Sequence, residues 1–302
     1  MRCFIENFLE KLYGKRNHYQ KLSPMHVIFL FLVVLWPAWS FGTPPPDKPE
    51  FVVVIPSYNN GRNNNNMCLK NLESVFSQTY PFFSVIYIDD CSTDDTGALV
   101  DNFVLQHHLE NRIKVIHNTE NKGCMRNLYE VINTIEPYKI VIDVDGDDML
   151  AHNHVLDKIA QIYSDKTIWM TLGSFRIFPR NQTLRVTPPS KAIIASGNFA
   201  YYTFVWYHLR TFYAKLFQLV KKEDLLYKGD FYPVTSDIAF LSRMLEMASH
   251  NHYKLVHEVL YLYYQSPICD YTIRRALQAE CWKDIQSKRP YKPLETLFEC
   301  QN

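Results

Sequence analysis

Short apolar runs rich in β-branched residues alternate with helical patterns between residues 51 and 172, and this alternation constrains the fold most strongly. The clearest run is Phe51-Val-Val-Val-Ile55, which is typical of a strand buried on both faces. Further runs occupy residues 84–88, 113–116, 139–142 and 168–172. Because apolar residues at helical spacing separate successive runs, the pattern predicts an α/β fold with a mostly parallel sheet flanked by helices.

Polar loops follow the first, second and fourth of these runs. Their sequences are Pro56-Ser-Tyr-Asn-Asn-Gly61, Asp89-Asp-Cys-Ser-Thr-Asp94 and Asp145-Gly-Asp-Asp148. The ligand crevice of an open α/β sheet lies outside the carboxyl ends of its strands, so we expect these loops to meet around a ligand. The sequence contains neither a GxGxxG dinucleotide fingerprint nor the glycine-lysine phosphate loop of nucleoside triphosphatases.

Four carboxylates stand within six residues at the end of the fourth run: Asp143, Asp145, Asp147 and Asp148. Like charges at this density repel one another unless a cation or a set of hydrogen-bond donors is shared among them. Carboxylates at the end of a buried strand suit Mg²⁺ or Mn²⁺ holding the phosphates of a substrate. A structural Ca²⁺ loop or a solvated turn is the alternative, although the spacing of an EF-hand is absent.

The N-terminal region has the organisation of a targeting or anchoring segment. Residues 1–25 are basic, residues 26–42 are apolar, and residues 43–49 form a Pro-rich linker. A basic flank before a short apolar run predicts a signal peptide or a signal anchor, the latter a single transmembrane helix. We therefore expect a membrane-associated protein, or an exported one if the segment is cleaved, with the side of the membrane left open.

Composition argues against nucleic acid as a partner and against a zinc site. The formal net charge of the 302-residue chain is +1, which gives no general reason to expect nucleic acid as a partner. Seven cysteines occur without CxxC pairs, which argues against a zinc site.

Four motifs in this order resemble the family 2 glycosyltransferases. They are Val54-Ile-Pro-Ser-Tyr-Asn59, Ile88-Asp-Asp-Cys-Ser-Thr-Asp-Asp95, Asn121-Lys-Gly-Cys-Met-Arg-Asn127 and Asp145-Gly-Asp-Asp148, and the resemblance covers roughly residues 51–175. It implies a GT-A fold, a nucleoside-diphosphate-sugar donor, first a UDP-sugar and as the alternative a GDP-sugar, and a divalent cation, Mn²⁺ or Mg²⁺. It also implies transfer with inversion to the hydroxyl of a glycan, lipid-linked or protein acceptor.

The resemblance assigns roles to residues at the matching positions. Pro56 and Tyr58 would line the nucleotide pocket, Asp89 or Asp90 would bond the base, Lys122 and Arg126 would border base and ribose, Asp145 would face ribose and metal, and Asp147 would ligate the metal. Local alternatives are that Asp89 and Asp90 cap the following helix and that Arg126 is a solvated helix residue. Cys91 departs from the family, which usually has glycine there, so a turn with positive φ must be made by a residue that disfavours it.

We expect the folded part to consist of two halves. Residues 50–179 would bind the nucleotide sugar, and residues 180–302 would bind the acceptor and include the C-terminal tail. By resemblance, Asp237 ahead of an apolar helix is the general base that deprotonates the acceptor. The alternative is an ordinary aspartate favoured by the helix dipole. Trp206 is the candidate platform for an acceptor sugar, and His208 and Arg210 approach the diphosphate or acceptor unless they are structural.

Two other functions compete with glycosyl transfer. A sugar nucleotidyltransferase has a similar fold but needs a glycine-rich basic loop after the first strand, which residues 56–61 do not supply. A non-catalytic, glycosyltransferase-like binding protein would not need Asp145, Asp147 and Asp237, and their presence argues against it.

Overall fold

A computed structural model describes residues 48–249, 251–265 and 274–298. These residues belong to one compact unit that spans Thr43–Asn302.

Most strands of the described residues belong to one large sheet. Its nine strands within this part of the chain are β1 Phe51–Ser57, β2 Phe83–Asp89, β3 Ile113–His117, β4 Ile140–Asp143, β5 Met149–Leu150, β6 Met170–Phe178, β7 Gln182–Leu184, β8 Arg210–Tyr213 and β11 Tyr253–Tyr264. They stand in the order β3-β2-β1-β4-β8-β6-β11-β5, and β7 pairs with β6. A separate antiparallel hairpin consists of β9 Leu226–Tyr227 and β10 Asp230–Phe231.

Two groups of helices flank the sheet. The α-helices of the described residues are α1 Met67–Phe76, α2 Thr96–Gln106, α3 Cys124–Ile132, α4 Val155–Ile162, α5 Lys191–Ser196, α6 Ala214–Gln218, α7 Ser236–Met247 and α8 Arg275–Ser287. Helix α3 contacts β1, α6 and α7, whereas α1 contacts α2 and β5. All seven residues of β1 are buried between these layers, as the uninterrupted apolar run predicts.

The prediction of parallel βαβ units is confirmed for the first four strands. β1 pairs in parallel with both β2 and β4, and β2 pairs in parallel with β3. The register places Val53 opposite Val85 on one side and Ile142 on the other. The carboxyl ends of β1, β2 and β4 therefore lie at one edge of the sheet, where the polar loops emerge.

The sheet is mostly parallel, as predicted, but it is not purely so: six of its nine strands among the described residues run in one direction and three run against them. β8 lies between β4 and β6 and runs antiparallel to both. β5 and β7 also pair antiparallel, with β11 and β6. The sequence pattern does not signal β8, because Arg210-Thr-Phe-Tyr213 is only four residues long and begins with a charge. β6 still runs in the direction of β4, as a βαβ unit requires, but β8 takes the place beside β4.

The prediction of a transmembrane helix is corrected. Among the helices of the described residues, none has the length and apolar character needed to cross a bilayer. The segment for which the helix was predicted, residues 26–42, lies outside the described residues.

Candidate active site

Backbone hydrogen bonds join the loops at the carboxyl ends of β1, β2 and β4. Asp90 N donates to Ser57 O at 2.9 Å, and Gly146 N donates to Pro56 O at 3.0 Å. A Cβ atom added at Gly146 would lie 2.5 Å from the Cβ of Ser57, so glycine is required for the acidic loop to pack against β1. The predicted meeting of these loops is confirmed.

Asp90 connects the second motif to the third. Its Oδ1 accepts hydrogen bonds from Lys122 N at 2.9 Å and Asn118 Nδ2 at 2.8 Å, and its Oδ2 accepts from Gly123 N at 2.8 Å. The carboxylate is 4% exposed. Asp90 therefore holds the turn at Lys122-Gly123, and through it the start of α3, in place beside the crevice.

Asp89 contacts the turn that follows β2 and the last residue of β3. Its Oδ1 accepts from Ser92 N at 3.1 Å, and its Oδ2 lies 3.2 Å from His117 Nδ1. These contacts fix the turn after β2. That turn contains Cys91 with φ +60°, so the expectation that a non-glycine residue adopts positive φ there is confirmed.

The acidic loop, residues 145–148, brings carboxylates together without a positively charged partner for each of them. Burial first, and then Asp145, raises the pKa of Asp147 to about 7. Burial, and then Asp147 and Asp145, also raises the pKa of Asp148 well above its ordinary value. Asp148 is 1% exposed; its Oδ2 accepts from Tyr261 Oη at 2.7 Å and its Oδ1 from Tyr264 N at 2.6 Å. The loop thus favours an added cation or bound protons.

Arg210, at the start of β8, lies at the centre of three aspartates. Its Nη1 donates to Asp143 Oδ2 at 2.9 Å, and its Nη2 lies 3.4 Å from Asp237 Oδ2 and 3.8 Å from Asp145 Oδ2. Burial alone would lower the pKa of Arg210, but Asp145, Asp143 and Asp237 together raise it. One buried guanidinium therefore links the end of β4, the acidic loop and the start of α7.

His208 is a neutral side chain in the same cluster. Burial, and then the charge of Arg210, lowers its pKa well below the ordinary value. The ring stacks on Tyr261 with centroids 4.4 Å apart, and Nε2 lies 2.8 Å from Arg210 Nη2, from which a neutral ring accepts. One ligand atom from each of Asp145, Asp148 and His208 lies within 4.8 Å of the other two. Two carboxylates and an imidazole are a donor set suited to Mn²⁺.

Asp237 lies in the first turn of the buried helix α7. Its Oδ1 accepts from Ile238 N at 2.8 Å, and its side chain is 23% exposed. Burial raises the pKa of Asp237 although Arg210 opposes the rise. A carboxylate with a raised pKa is a stronger base than an ordinary aspartate.

The remaining predicted residues lie around this centre or apart from it. Arg126 Nη2 pairs with Asp230 Oδ1 at 2.6 Å, and Lys122 Nζ pairs with Glu130 at 2.8 Å. Tyr58 is 46% exposed, while Pro56 is buried in β1. Trp206 is half-buried against Phe175, and its carbonyl oxygen accepts from Arg210. The structure thus brings together Asp145, His208, Arg210 and Asp237.

Three further residues belong to the cluster: Asp143, Asp148 and Tyr261. The two aspartates were predicted only as members of the acidic motif, and Tyr261 had no predicted role in the site. Asp143 and Asp148 stand in the acidic motif, so the density of carboxylates was a usable signal. Tyr261 has no such signal. Its Oη accepts from Asp145 N at 3.1 Å and donates to Asp148, across 116 and 113 residues of sequence.

A family model described as glycosyl transferase family 2 matches residues 52–226. The match covers more than half of the chain, so the chain belongs to this family. Glycosyltransferase GlyG of Streptococcus pneumoniae is 29% identical over 123 residues, which are 41% of this chain and 38% of that protein. Hyaluronan synthase of Streptococcus pyogenes is 26% identical over 141 residues, 46% of this chain and 32% of that protein. The matched part thus spans less than half the length of these relatives.

Solved structures share the fold. TarS of S. aureus in complex with UDP-GlcNAc has a TM-score of 0.55 and 18% identity, and the match covers 79% of this chain and 70% of that chain. A mannosyltransferase of Pyrobaculum calidifontis in complex with GDP-Man and Mn²⁺ has a TM-score of 0.52 and 17% identity, with coverages of 88% and 73%. At these identities the likeness establishes the fold, which is of the GT-A type.

Proposed function

We propose that this protein is a glycosyltransferase that moves a sugar from a UDP-sugar to an acceptor hydroxyl with inversion, with the help of a divalent cation. The observation that carries the proposal is the Arg210 cluster, which holds Asp145 of the acidic loop and Asp237 of α7 within 4 Å of one guanidinium nitrogen. A donor-side carboxylate and a candidate base thus face one centre at the carboxyl edge of the sheet. The donor class is supported by the complexes of related folds with UDP-GlcNAc and GDP-Man.

The residues present fit a divalent cation. Asp145, Asp148 and His208 supply the three ligand atoms that lie together. Asp143 Oδ1 is buried and has no hydrogen-bond partner among the described residues, so the centre still holds a carboxylate oxygen that no protein donor satisfies. Asp147 is added to this set on the strength of its motif position alone. When bound, the cation neutralises charge that builds on the leaving diphosphate.

Asp237 receives the proton of the acceptor hydroxyl in the proposed reaction. The acceptor oxygen forms a bond to the anomeric carbon as the bond from that carbon to the diphosphate oxygen breaks, and the diphosphate leaves with the electron pair. Direct displacement inverts the anomeric carbon and needs a base on the face opposite the leaving group. Asp237 fits because its raised pKa favours proton acceptance and its position on α7 is separate from the acidic loop.

A panel of nucleotide sugars tests the proposal. We expect Mn²⁺-dependent release of UDP from one UDP-sugar, with EDTA abolishing it, and NMR of the earliest product with a suitable acceptor should show the inverted anomer. Retention of configuration would contradict the role of Asp237. Consumption of a sugar phosphate together with a nucleoside triphosphate would instead identify a sugar nucleotidyltransferase.

A further inference from the structure

The Nη2 atom of Arg210 contacts two of the three side chains of the candidate metal site. It lies 2.8 Å from His208 Nε2 and 3.8 Å from Asp145 Oδ2. These two acceptor atoms are themselves 3.9 Å apart. A guanidinium nitrogen and two metal-ligand atoms therefore form a small triangle at the centre of the site.

The electron pair that His208 offers to a metal is already in use. A neutral imidazole has one acceptor nitrogen, and the contact with Arg210, which can only donate, identifies Nε2 as that nitrogen. Coordination of a cation by Nε2 uses the same electron pair. Arg210 and a cation bound through Nε2 are thus mutually exclusive partners of this atom.

The same guanidinium also holds the candidate base. Nη2 lies 3.4 Å from Asp237 Oδ2, and Nη1 is anchored on Asp143 at 2.9 Å. Arg210 is 5% exposed and Asp143 is 1% exposed, so the anchor is a buried pair. Loss of the contact between Nη2 and His208 therefore directly affects the contact between the same nitrogen and Asp237.

We propose that Arg210 and a divalent cation compete for His208 Nε2 and the Asp145 carboxylate, and that Arg210 is a positioning residue that links metal binding to the placement of Asp237. This inference rests on the proposed function. A cation that takes the two ligands leaves Asp237 as the carboxylate that Nη2 already contacts. The hold of Arg210 on the base thus depends on whether the metal ligands are occupied.

The proposed competition predicts that removal of Arg210 changes Mn²⁺ affinity in the direction opposite to that expected for a supporting residue. A side chain that merely supports a metal site weakens metal binding when it is removed. Removal of Arg210 should instead strengthen Mn²⁺ binding, because the occupied electron pair of His208 becomes available and a positive charge beside the ligand atoms is lost. We expect the Kd for Mn²⁺ to fall about tenfold or more in Arg210→Met.

The test compares wild type, Arg210→Met, the double variant Arg210→Met with Asp143→Asn, and the control Arg185→Met. Arg185 is exposed. The double variant removes both charges of the buried Arg210–Asp143 pair, so Asp143 is not left as an unpaired carboxylate and the net charge of the cluster is kept. Mn²⁺ affinity is measured by the EPR signal of the free ion. At saturating Mn²⁺, kcat should fall about tenfold or more in both Arg210 variants. The KM for the donor should change by less than about threefold.

Tighter Mn²⁺ binding in both Arg210 variants, with the control unchanged, supports the competition. Tightening in the single variant alone would show that net charge is responsible rather than the contacts of Nη2, and would overturn it. Unchanged or weaker binding in both variants would also overturn it. Failure of the wild-type protein to bind Mn²⁺ would contradict the metal site of the proposed function itself.

Discussion

Asp147→Asn tests whether the acidic loop stores electrostatic repulsion that a cation relieves. The pKa of Asp147 in the folded chain is about 7, against an ordinary value of 3.8. As pH rises from 3.8 to 7, the unfolded chain loses a proton that the folded chain retains, so the carboxylate lowers the free energy of unfolding across this window. Below pH 3.8 both states are protonated and the cost disappears.

The size of the effect follows from the two pKa values. They differ by about 3, and each unit corresponds to about 1.4 kcal/mol, which sets an upper limit of about 4 kcal/mol. Asp147 is partly exposed, so solvent screening reduces the expected cost to roughly 1–2 kcal/mol. Asparagine has nearly the same shape and does not ionise. Asp147→Asn should therefore be more stable than wild type by roughly this amount at pH 8, and nearly equal to it at pH 4.

Urea unfolding in EDTA at pH 4, 6 and 8 measures the difference. We expect the advantage of the variant to grow with pH, and Mn²⁺ at pH 8 to stabilise the wild-type protein more than the variant. Metal-dependent transfer should be lost in the variant. An equal stability of the two proteins at pH 8, or an advantage that shrinks as pH rises, would show that the Asp147 carboxylate does not destabilise the folded chain.

Three further substitutions test other parts of the site. Cys91→Gly should stabilise the protein by up to about 1 kcal/mol in urea unfolding, because glycine adopts φ +60° without steric cost; a loss of stability would show that the thiol contributes more than the turn. Tyr261→Phe should weaken Mn²⁺ binding about tenfold by calorimetry, because Asp145 and Asp148 lose their shared hydroxyl; unchanged affinity would exclude that role. Asp90→Ala should cost about 3 kcal/mol of stability, since three part-buried donors lose their one buried acceptor; a neutral result would contradict the assigned contacts.

The local features of this chain were predictable because their causes are local in sequence. A β-branched run gives a buried strand, and a polar loop after it lies at the carboxyl edge of the sheet. The positive φ of Cys91 was expected from the family resemblance, because the family usually has glycine at this position. β1 to β4 and the loops after β1, β2 and β4 follow from these patterns.

The partners of the site residues were not predictable, since they come from distant segments. Arg210 meets Asp143 across 67 residues, and Arg126 meets Asp230 across 104. No periodicity specifies such pairs; they depend on β8 entering the sheet beside β4. Sequence alone therefore left Arg210 as a candidate ligand of the diphosphate or acceptor, whereas the structure places it inside a cluster of carboxylates.

Asp237→Asn tests the proposal that Asp237 is the general base of sugar transfer. Asp157→Asn is the matched control, because Asp157 is also an aspartate in the first turn of a helix. With the UDP-sugar and Mn²⁺ at saturation, kcat for transfer should fall by about 10²–10⁴ in Asp237→Asn while UDP affinity by calorimetry stays at the wild-type value. The control should retain wild-type kcat. Transfer by Asp237→Asn at the wild-type rate would contradict the account.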